Sequence, residues 1–478
     1  MYAVPVFSPA DTIAVLATAP VRAAVGVVRL SGPRARQCAR AILTLPRDLE
    51  PRRATVTRAA RRREAPAGEE GPGPAARAID RVVATFFPAP QSYTGEDVVE
   101  ISAHGSVALL REILLSAIDA GARLAEPGEF TLRAFLNGRM DLVQAEAVAD
   151  LVDAVTPLQA RVAFDQLEGT LTRAIAALDG ELFDLTARLE ASVDFPDEGF
   201  HFIEAGDAAR VARRVIGGID ALLATAARGR LVREGRQIAI LGRPNVGKSS
   251  LFNWLVGADR AIVSSRPGTT RDMLTEAIDL DGIRLGLVDT AGIRSSEDEV
   301  EREAVSRGRR AAAVADLVLL VLDRSRPLDE TDRALLRETA GAARIVVINK
   351  TDLAPAWSTE SPDGLARIVE AGRAAAVSLK TGAGLEELRS AMRAALEAGD
   401  IPRDGPVVAN ARHEALLRAA REPMARALAN LEAGGEQASE ELVLADLSAA
   451  RRCLEEVTGR RTSEDVLKRI FERFCVGK

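Results

Sequence analysis

The sequence predicts an α/β multidomain fold: an αβ domain with a mixed, mostly parallel sheet, inserted into an all-helical domain and preceded by an α+β domain. Three observations carry this expectation. Residues 1–137 mix short strand-like runs with one helical stretch. Apolar residues at three-to-four spacing fill 138–230 and return in 399–478, the period of amphipathic helices. Between them, in 235–398, apolar strand-like runs alternate with helical segments, as βαβ units do. Helices on both sides of the strand-rich block fit an insertion, because the two ends of a domain tend to lie close together.

Length and composition bound the rest. A chain of 478 residues is too long for one core, and roughly three domains are expected. The net charge of −6 excludes a protein that coats nucleic acid by bulk charge and leaves room for a local basic patch. Three cysteines (Cys38, Cys453 and Cys475) form no CxxC pair, which suits a reducing, cytoplasmic compartment. No basic n-region precedes an apolar core at the start, and no apolar run reaches membrane-spanning length, so no membrane insertion is expected. Only five of the 63 cationic residues are lysines: Lys248, Lys350, Lys380, Lys468 and Lys478. Arginine and lysine are not interchangeable, so the surviving lysines are candidates for specific roles.

In the first domain, "GVVRL", "RVVATFF" and "DVVEIS" read as strands and "SVALLREILLSAIDAGA" as a helix. The segment 51–78, rich in arginine, alanine, glycine and proline, reads as a solvated surface loop, with a basic contact for RNA through its arginines up to Arg63 as the second reading. The helical domain reads from "DLVQAEAVADLVDAV", "LTRAIAALDGELFDLTARLEASVDF" and "DAARVARRVIGGIDALLATAARGRLV". It resumes in "ARHEALLRAAREPMARALANLEA", "SEELVLADLSAARRCLEEVTG" and "TSEDVLKRIF". In the last of these, Val466, Leu467, Ile470, Phe471 and Phe474 form one apolar stripe, so the closing helix is expected to dock rather than fray.

The central block carries chemistry. Strand-like "QIAILG" runs into "GRPNVGKSS", a G-x-x-x-x-G-K-S pattern before a helix. Backbone N–H groups of Asn245, Val246, Gly247, Lys248, Ser249 and Ser250 are suited to wrap phosphate oxygens. Lys248 reaches the terminal phosphates, and the Ser249 hydroxyl offers itself to Mg²⁺. "VSSRPGTTRD" (Ser264, Ser265, Arg266, Pro267, Gly268, Thr269, Thr270) supplies a threonine to complete the Mg²⁺ shell. Asp289, Thr290, Ala291 and Gly292 end a buried strand, suited to holding the metal's water and sensing a γ-phosphate. Asn349, Lys350 and Asp352 end another, and an aspartate there accepts both N–H groups of a guanine edge that adenine lacks. Ser378, Leu379 and Lys380 stand beside the base. The order and spacing of these motifs predict a P-loop GTPase domain of Ras-like architecture.

Two features depart from a Ras-like plan. Ile293 follows "DTAG" where a glutamine would position the attacking water, and the acidic run after it offers Glu301 for that task. Asn245 sits inside the phosphate loop, where a side-chain carbonyl suits a monovalent cation that does the charge neutralisation of an arginine finger.

Taken with "DTIAVLATAP", "SYTGEDVVEISAHG", "PGEFTLRAFLNGRMDLVQAEAVADL", "DFPDE" and the closing "FCVGK", these motifs resemble the MnmE (TrmE) family of tRNA modification GTPases over nearly the whole chain. The resemblance implies an N-terminal domain (1–137) that binds tetrahydrofolate and dimerises, a discontinuous helical domain (138–230 and 399–478) and a G domain (235–398). It implies a homodimer whose G domains pair when K⁺ and GTP bind, and a heterotetramer with an FAD-dependent MnmG/GidA-like protein. Together these add a (carboxymethyl)aminomethyl group to C5 of the wobble uridine of certain tRNAs. The one-carbon donor is a 5-formyl- or 5,10-methylene-tetrahydrofolate. The resemblance also implies K⁺ ligands at Asn245, Ser264, Arg266 and Thr269, Mg²⁺ at Ser249 and Thr270, and a catalytic Glu301. Folate contacts fall on Arg29, Glu100, Arg139 and Lys478, with Cys475 near the pocket as a catalytic candidate for the modification chemistry. Arg139 stands where the family carries lysine. A competing reading is a ribosome-assembly or stress-response GTPase switch without modification activity. Such switches carry an RNA-binding module after the G domain, and no segment here reads as one.

Overall fold

The computed structural model describes residues 11–61, 77–194, 203–258, 261–262, 275–288, 315–357, 373–396, 405–433, 440–472 and 474. It divides into two compact units, Met1–Ala149 with Glu455–Lys478, and Asp150–Leu454.

In the first unit, six strands form one sheet among the described residues: β1 (Ile13–Leu16), β2 (Val25–Ser31), β3 (Thr55–Arg61), β4 (Arg77–Phe87), β5 (Val98–His104) and β6 (Arg123–Leu124). Their order is β3-β4-β5-β2-β1-β6, antiparallel except for the β1/β6 pair. Alternation along the strands sends Val28, Leu30, Val99 and Ile101 to one face. There the helices Ala35–Ile42 and Val107–Asp119 cover them, with Cys38, Ile42, Leu110 and Ile113 in the core. On the opposite face Ile13 and Val15 meet Phe130, from the helix Glu129–Leu136.

The arginine-rich segment after residue 50 is not loop throughout. Thr55–Arg61 is an edge strand paired antiparallel with β4. Thr57 and Ala59 turn inward, while Val56 and Arg58 face solvent. Arginine on the outer positions of an edge strand guards it against pairing with another chain. That charge is what made the segment read as loop. The helices Ala35–Ile42 and Glu129–Leu136 also went unread, being only two turns long each.

The closing helix, Glu464–Phe471, belongs to this first unit. Phe471 and Phe474 are buried, with ring centroids 5.2 Å apart, and the Phe471 ring lies 6.4 Å from Phe135. Gly128, at φ +71°, precedes the helix Glu129–Leu136, and a Cβ there would come 2.5 Å from the Phe471 carbonyl oxygen. The close approach requires glycine. The expected docking of the apolar stripe is realised here by Phe471 and Phe474, while Val466, Leu467 and Ile470 are half-buried.

In the second unit, the helices Pro157–Leu167, Thr170–Asp194, Ala205–Leu223 and Ala226–Glu234 precede the strand-rich block, and Ala411–Ala433 and the helix Glu440–Thr458 up to Leu454 follow it. Helix Ala411–Ala433 packs along Ala205–Leu223. Arg213 meets Glu432 at 2.7 Å and Arg421 meets Asp220 at 2.5 Å across this pair. The segments before and after the block therefore form one helical body, as an insertion requires. Helix Pro157–Leu167 went unread although its start is explicit: Thr156 and Gln159 form a capping box with proline at the first helical position.

The inserted block contains β7 (Arg236–Leu241), β8 (Ala261–Ile262), β9 (Thr275–Leu280), β10 (Ile283–Val288), β11 (Leu317–Asp323), β12 (Arg344–Asn349) and β13 (Arg373–Ala376). Among the described residues the sheet order is β13-β12-β11-β7-β10-β9-β8. β10, β7, β11, β12 and β13 run parallel, and β9 and β8 are antiparallel to their neighbours. This is the mixed, mostly parallel sheet the sequence predicts. β11 and β12 are buried along their whole length, consistent with helices on both faces of a parallel sheet.

Candidate functional site

Parallel strands end at a common edge, and among the described residues three of them deliver polar residues there. β7 runs into the loop Gly242–Gly247 and the helix Lys248–Ala258. β11 ends in Asp323 and β12 ends in Asn349. Asp323 and Asn349 are register partners. β7 lies between β10 and β11, so its loop opens between strands lying to either side of it, where open α/β sheets form their ligand crevice.

Side-chain donors grip the loop backbone at three carbonyls. The carbonyl of Arg243 accepts Lys248 Nζ at 2.6 Å, that of Asn245 accepts Lys350 Nζ at 3.1 Å, and that of Val246 accepts Asn349 Nδ2 at 2.8 Å. With these carbonyls engaged by side-chain donors, the loop has a fixed backbone, the condition under which successive amides can form an anion nest. Gly247 has φ +110°, and a Cβ there would overlap Asn349 Nδ2. Asn245 takes φ +61°, a conformation asparagine tolerates better than most residues. Burial pushes the Lys248 ammonium below its ordinary pKa, and a phosphate would relieve that cost. Ser249 and Ser250 are exposed on the first turn of the helix, where the dipole also favours an anion.

The residues expected to bind the base converge on the same edge. Asn349 is 3 % exposed and ties two loops together, because its Oδ1 accepts Leu379 N–H at 3.3 Å while its amide donates to Val246. The Ser378 hydroxyl donates to Asp352 Oδ1 at 2.7 Å, which orients the carboxylate. Asp352 and Lys380 are exposed, open to a planar base. One participant escaped the sequence reading. Asp323 pairs with Lys350 at 2.5 Å and accepts from Ser325. Burial raises its carboxyl pKa, but the hydrogen bonds from Lys350 and Ser325 outweigh that and hold it below the ordinary range. The signal was present as a lone carboxylate closing the wholly apolar "LVLLVLD".

Thus Asn245, Val246, Gly247, Lys248, Ser249, Ser250, Asn349, Lys350, Asp352, Ser378, Leu379 and Lys380 belong to one sheet edge. Ser264 to Thr270, Asp289 to Gly292, Glu301, Cys475 and Lys478 lie outside the described residues.

In the first unit, Arg29 and Glu100 are register partners on β2 and β5, and Arg29 Nη2 meets Glu100 Oε1 at 2.7 Å. The pair lies on the sheet face opposite Val28 and Leu30. The Arg29 guanidinium sits 5.5 Å from the Tyr93 ring centroid and 5.8 Å from that of Phe130. Arg139 is exposed, its side chain beside Gly95. Behind the pair lies a buried charge network that the sequence reading missed. Arg133 (5 % exposed) meets Asp11 at 2.6 Å, Glu96 at 3.2 Å and Glu129 at 2.9 Å. Arg123 meets Glu129 at 2.7 Å and Asp11 at 2.8 Å. Glu129 is wholly buried, which raises its carboxyl pKa, yet Arg123, the Glu126 N–H and Arg133 hold it below the ordinary glutamate range.

Among the described residues no helix is long and apolar enough to cross a membrane, and no group of three or more His, Cys, Asp or Glu is placed to hold a metal.

Two family models match. "GTP-binding protein TrmE N-terminus" covers residues 12–139, and "MnmE helical domain" covers 142–475. Full-length relatives agree. The tRNA modification GTPase MnmE of Chloroflexus aurantiacus is 42% identical over 473 residues, 98% of this chain and 100% of its own length. That of Thermus thermophilus is 42% identical over 471 residues, 98% of this chain and 99% of its own. That of Moorella thermoacetica is 40% identical over 472 residues, 98% of this chain and 99% of its own. A sheet edge that gathers the phosphate and base motifs, both family models and identity above the level of chance along the entire chain agree: this chain belongs to the MnmE family of tRNA modification GTPases.

Proposed function

We propose that this chain binds GTP with Mg²⁺ at the β7, β11 and β12 edge and hydrolyses it in support of wobble-uridine modification. The chemistry adds a (carboxymethyl)aminomethyl group at C5, with an FAD-dependent MnmG/GidA-like partner and a 5-formyl- or 5,10-methylene-tetrahydrofolate as one-carbon donor. The observation that carries the nucleotide part is the set of side-chain donors gripping the carbonyls of Arg243, Asn245 and Val246, which supports a preformed loop backbone for phosphate.

Each residue has a task in this reading. Lys248 neutralises charge at the terminal phosphates. Ser249 and Thr270 hold Mg²⁺, which supplies Lewis-acid stabilisation of the transferring group. Asp352 accepts the guanine N–H groups, and Asn349 with Ser378, Leu379 and Lys380 walls the base. Asp289 to Gly292 sense the γ-phosphate, and Glu301 orients the attacking water. Asn245, Ser264, Arg266 and Thr269 take K⁺, whose charge serves where an arginine finger otherwise would. Asn245 suits this, being exposed with its backbone carbonyl already taken by Lys350.

The folate part of the reading rests on Arg29 and Glu100. Their ion pair is flanked by the Tyr93 and Phe130 rings, an environment suited to a flat heterocycle with an amino-pyrimidine edge. Arg139 and Lys478 are assigned as cations for the folate's glutamate tail, and Cys475 is assigned to the modification chemistry. The homodimer unites two G domains across the K⁺ sites.

The test compares GTP hydrolysis by the purified chain in KCl and in NaCl, with Asn245→Ala alongside. Stimulation by K⁺ of about 10-fold or more, lost in Asn245→Ala, is expected for charge neutralisation at the transition state. Equal rates in both salts would sink the K⁺ mechanism and leave GTP binding standing. Binding of 5-formyl-tetrahydrofolate, weakened by Glu100→Gln, checks the second site.

A further inference from the structure

Three P-loop carbonyls are gripped by side-chain donors, but the grips differ in origin. Lys350 and Asn349 reach in from the end of β12, a fixed point of the sheet. Lys248 belongs to the loop itself, so its hydrogen bond to the Arg243 carbonyl fixes nothing unless Arg243 is fixed. The Arg243 side chain supplies an anchor. Its Nη1 donates to Asp329 Oδ2 at 2.6 Å, and its buried Nε, which makes no hydrogen bond among the described residues, forms an ion pair with Asp332 Oδ2 at 3.0 Å.

The two carboxylates are themselves immobilised. Asp329 caps the helix Glu330–Glu338 and Asp332 is its third residue. They form a reciprocal capping box: Asp332 N–H donates to Asp329 Oδ1 at 3.0 Å, and Asp329 N–H donates to Asp332 Oδ2 at 3.3 Å. Asp332 is 0 % exposed, and Arg243 is the cation facing it among the described residues. The guanidinium reaches both carboxylates, hydrogen-bonding Asp329 and pairing with Asp332, whereas an ammonium is a single point charge. The side chain of Arg243 is 16% exposed, so these contacts are largely shielded from water.

We propose that Arg243 is a positioning residue for phosphate binding: its guanidinium ties the front of the P-loop to the helix Glu330–Glu338, and this tie sets where the Arg243 carbonyl holds Lys248. A lysine displaced by an ångström loses its alignment on the β- and γ-phosphates, and misplacement of that size is costly in binding and in rate. The proposal rests on the reading of Gly242–Ser249 as the phosphate loop.

The experiment uses the full-length chain and a fluorescent GTP analogue in stopped flow, with steady-state hydrolysis and circular dichroism beside it. The variants are Arg243→Ala, Arg243→Lys, Asp332→Asn, the Arg243→Ala/Asp332→Asn double variant and Lys248→Ala. Arg243→Ala is expected to release GTP at least about 10-fold faster, with KM raised and kcat lowered, while the circular dichroism spectrum stays that of the parent. Arg243→Lys is expected to lie between Arg243→Ala and the parent. The double variant is expected to be no worse than Arg243→Ala alone, because both changes break one tie. GTP release by Arg243→Ala within about two-fold of the parent overturns the proposal, as does a double variant whose effect is the product of the singles. Should Arg243→Ala fail to fold, Arg243→Lys decides by the same readouts. Parental GTP binding by Lys248→Ala would instead overturn the phosphate-loop reading, and the proposal with it.

Discussion

Asp352→Asn is expected to lower the affinity for GTP by about three orders of magnitude and to shift preference toward xanthosine triphosphate. Guanine presents two N–H donors on its N1/N2 edge, and a carboxylate accepts both. An asparagine keeps one acceptor and replaces the other with an NH₂ donor, which meets the guanine amino group head-on. Xanthine carries a carbonyl at that ring position and accepts the new donor. The loss is large because a polar group built for pairing is left facing a like group, which costs more than the bond alone was worth. The Ser378 hydroxyl holds one Asp352 oxygen at 2.7 Å, so the side chain does not swing away to relieve the clash. Competition binding of GTP, ATP and xanthosine triphosphate checks this. Unchanged GTP affinity in Asp352→Asn would remove Asp352 from the base site.

Arg133→Met is expected to cost the first unit about 3–5 kcal/mol, the usual effect of removing one partner from a buried ion network. Methionine fills similar space but leaves Glu129, wholly buried, with Arg123 as its remaining cation, and leaves Glu96 without one. Glu129→Gln placed on top of Arg133→Met is expected to recover part of the loss, since it removes the stranded charge. The sign of the pH dependence follows from the direction of the shifts. Burial raises the carboxyls of Glu129 and Asp11, but their arginine hydrogen bonds outweigh it and hold both below their ordinary range. Their stabilisation is therefore present above the ordinary carboxylate range and is lost as pH falls through the lower folded values. The deficit of Arg133→Met is expected to be full at neutral pH and to shrink in acid. Both tryptophans, Trp254 and Trp357, lie in the G domain, so their fluorescence is a poor reporter of this loss. Hydrogen exchange at the amides of β1, β2 and β5 reads it directly, and protection there equal to the parent's would contradict the role given to Arg133.

The phosphate and base motifs were legible because each is local. A glycine-rich turn between a strand and a helix has its chemistry within eight residues, Gly242 to Ser249, and the strand ends at Asn349 announce themselves by apolar runs that stop on a polar residue. Helical periodicity likewise gave the flanking helical body and the insertion between its parts. What stayed hidden were short elements and pairings set by register. Two-turn helices are too brief for a period of 3.6 to stand out. The edge strand Thr55–Arg61 carries arginines outward and so looks like loop. Arg29 and Glu100, 71 residues apart, meet only because β2 and β5 are aligned in one register, and a slip of one residue would send them to opposite faces. Arg133 and Asp11 are 122 residues apart, and Arg243 and Asp329 are 86 apart. The sequence by itself determined the family, the nucleotide motifs and the domain order, because these depend on neighbours along the chain. Only the tertiary structure decided which charges are buried and who neutralises them, because the dielectric and the partner of a side chain are properties of the packed fold.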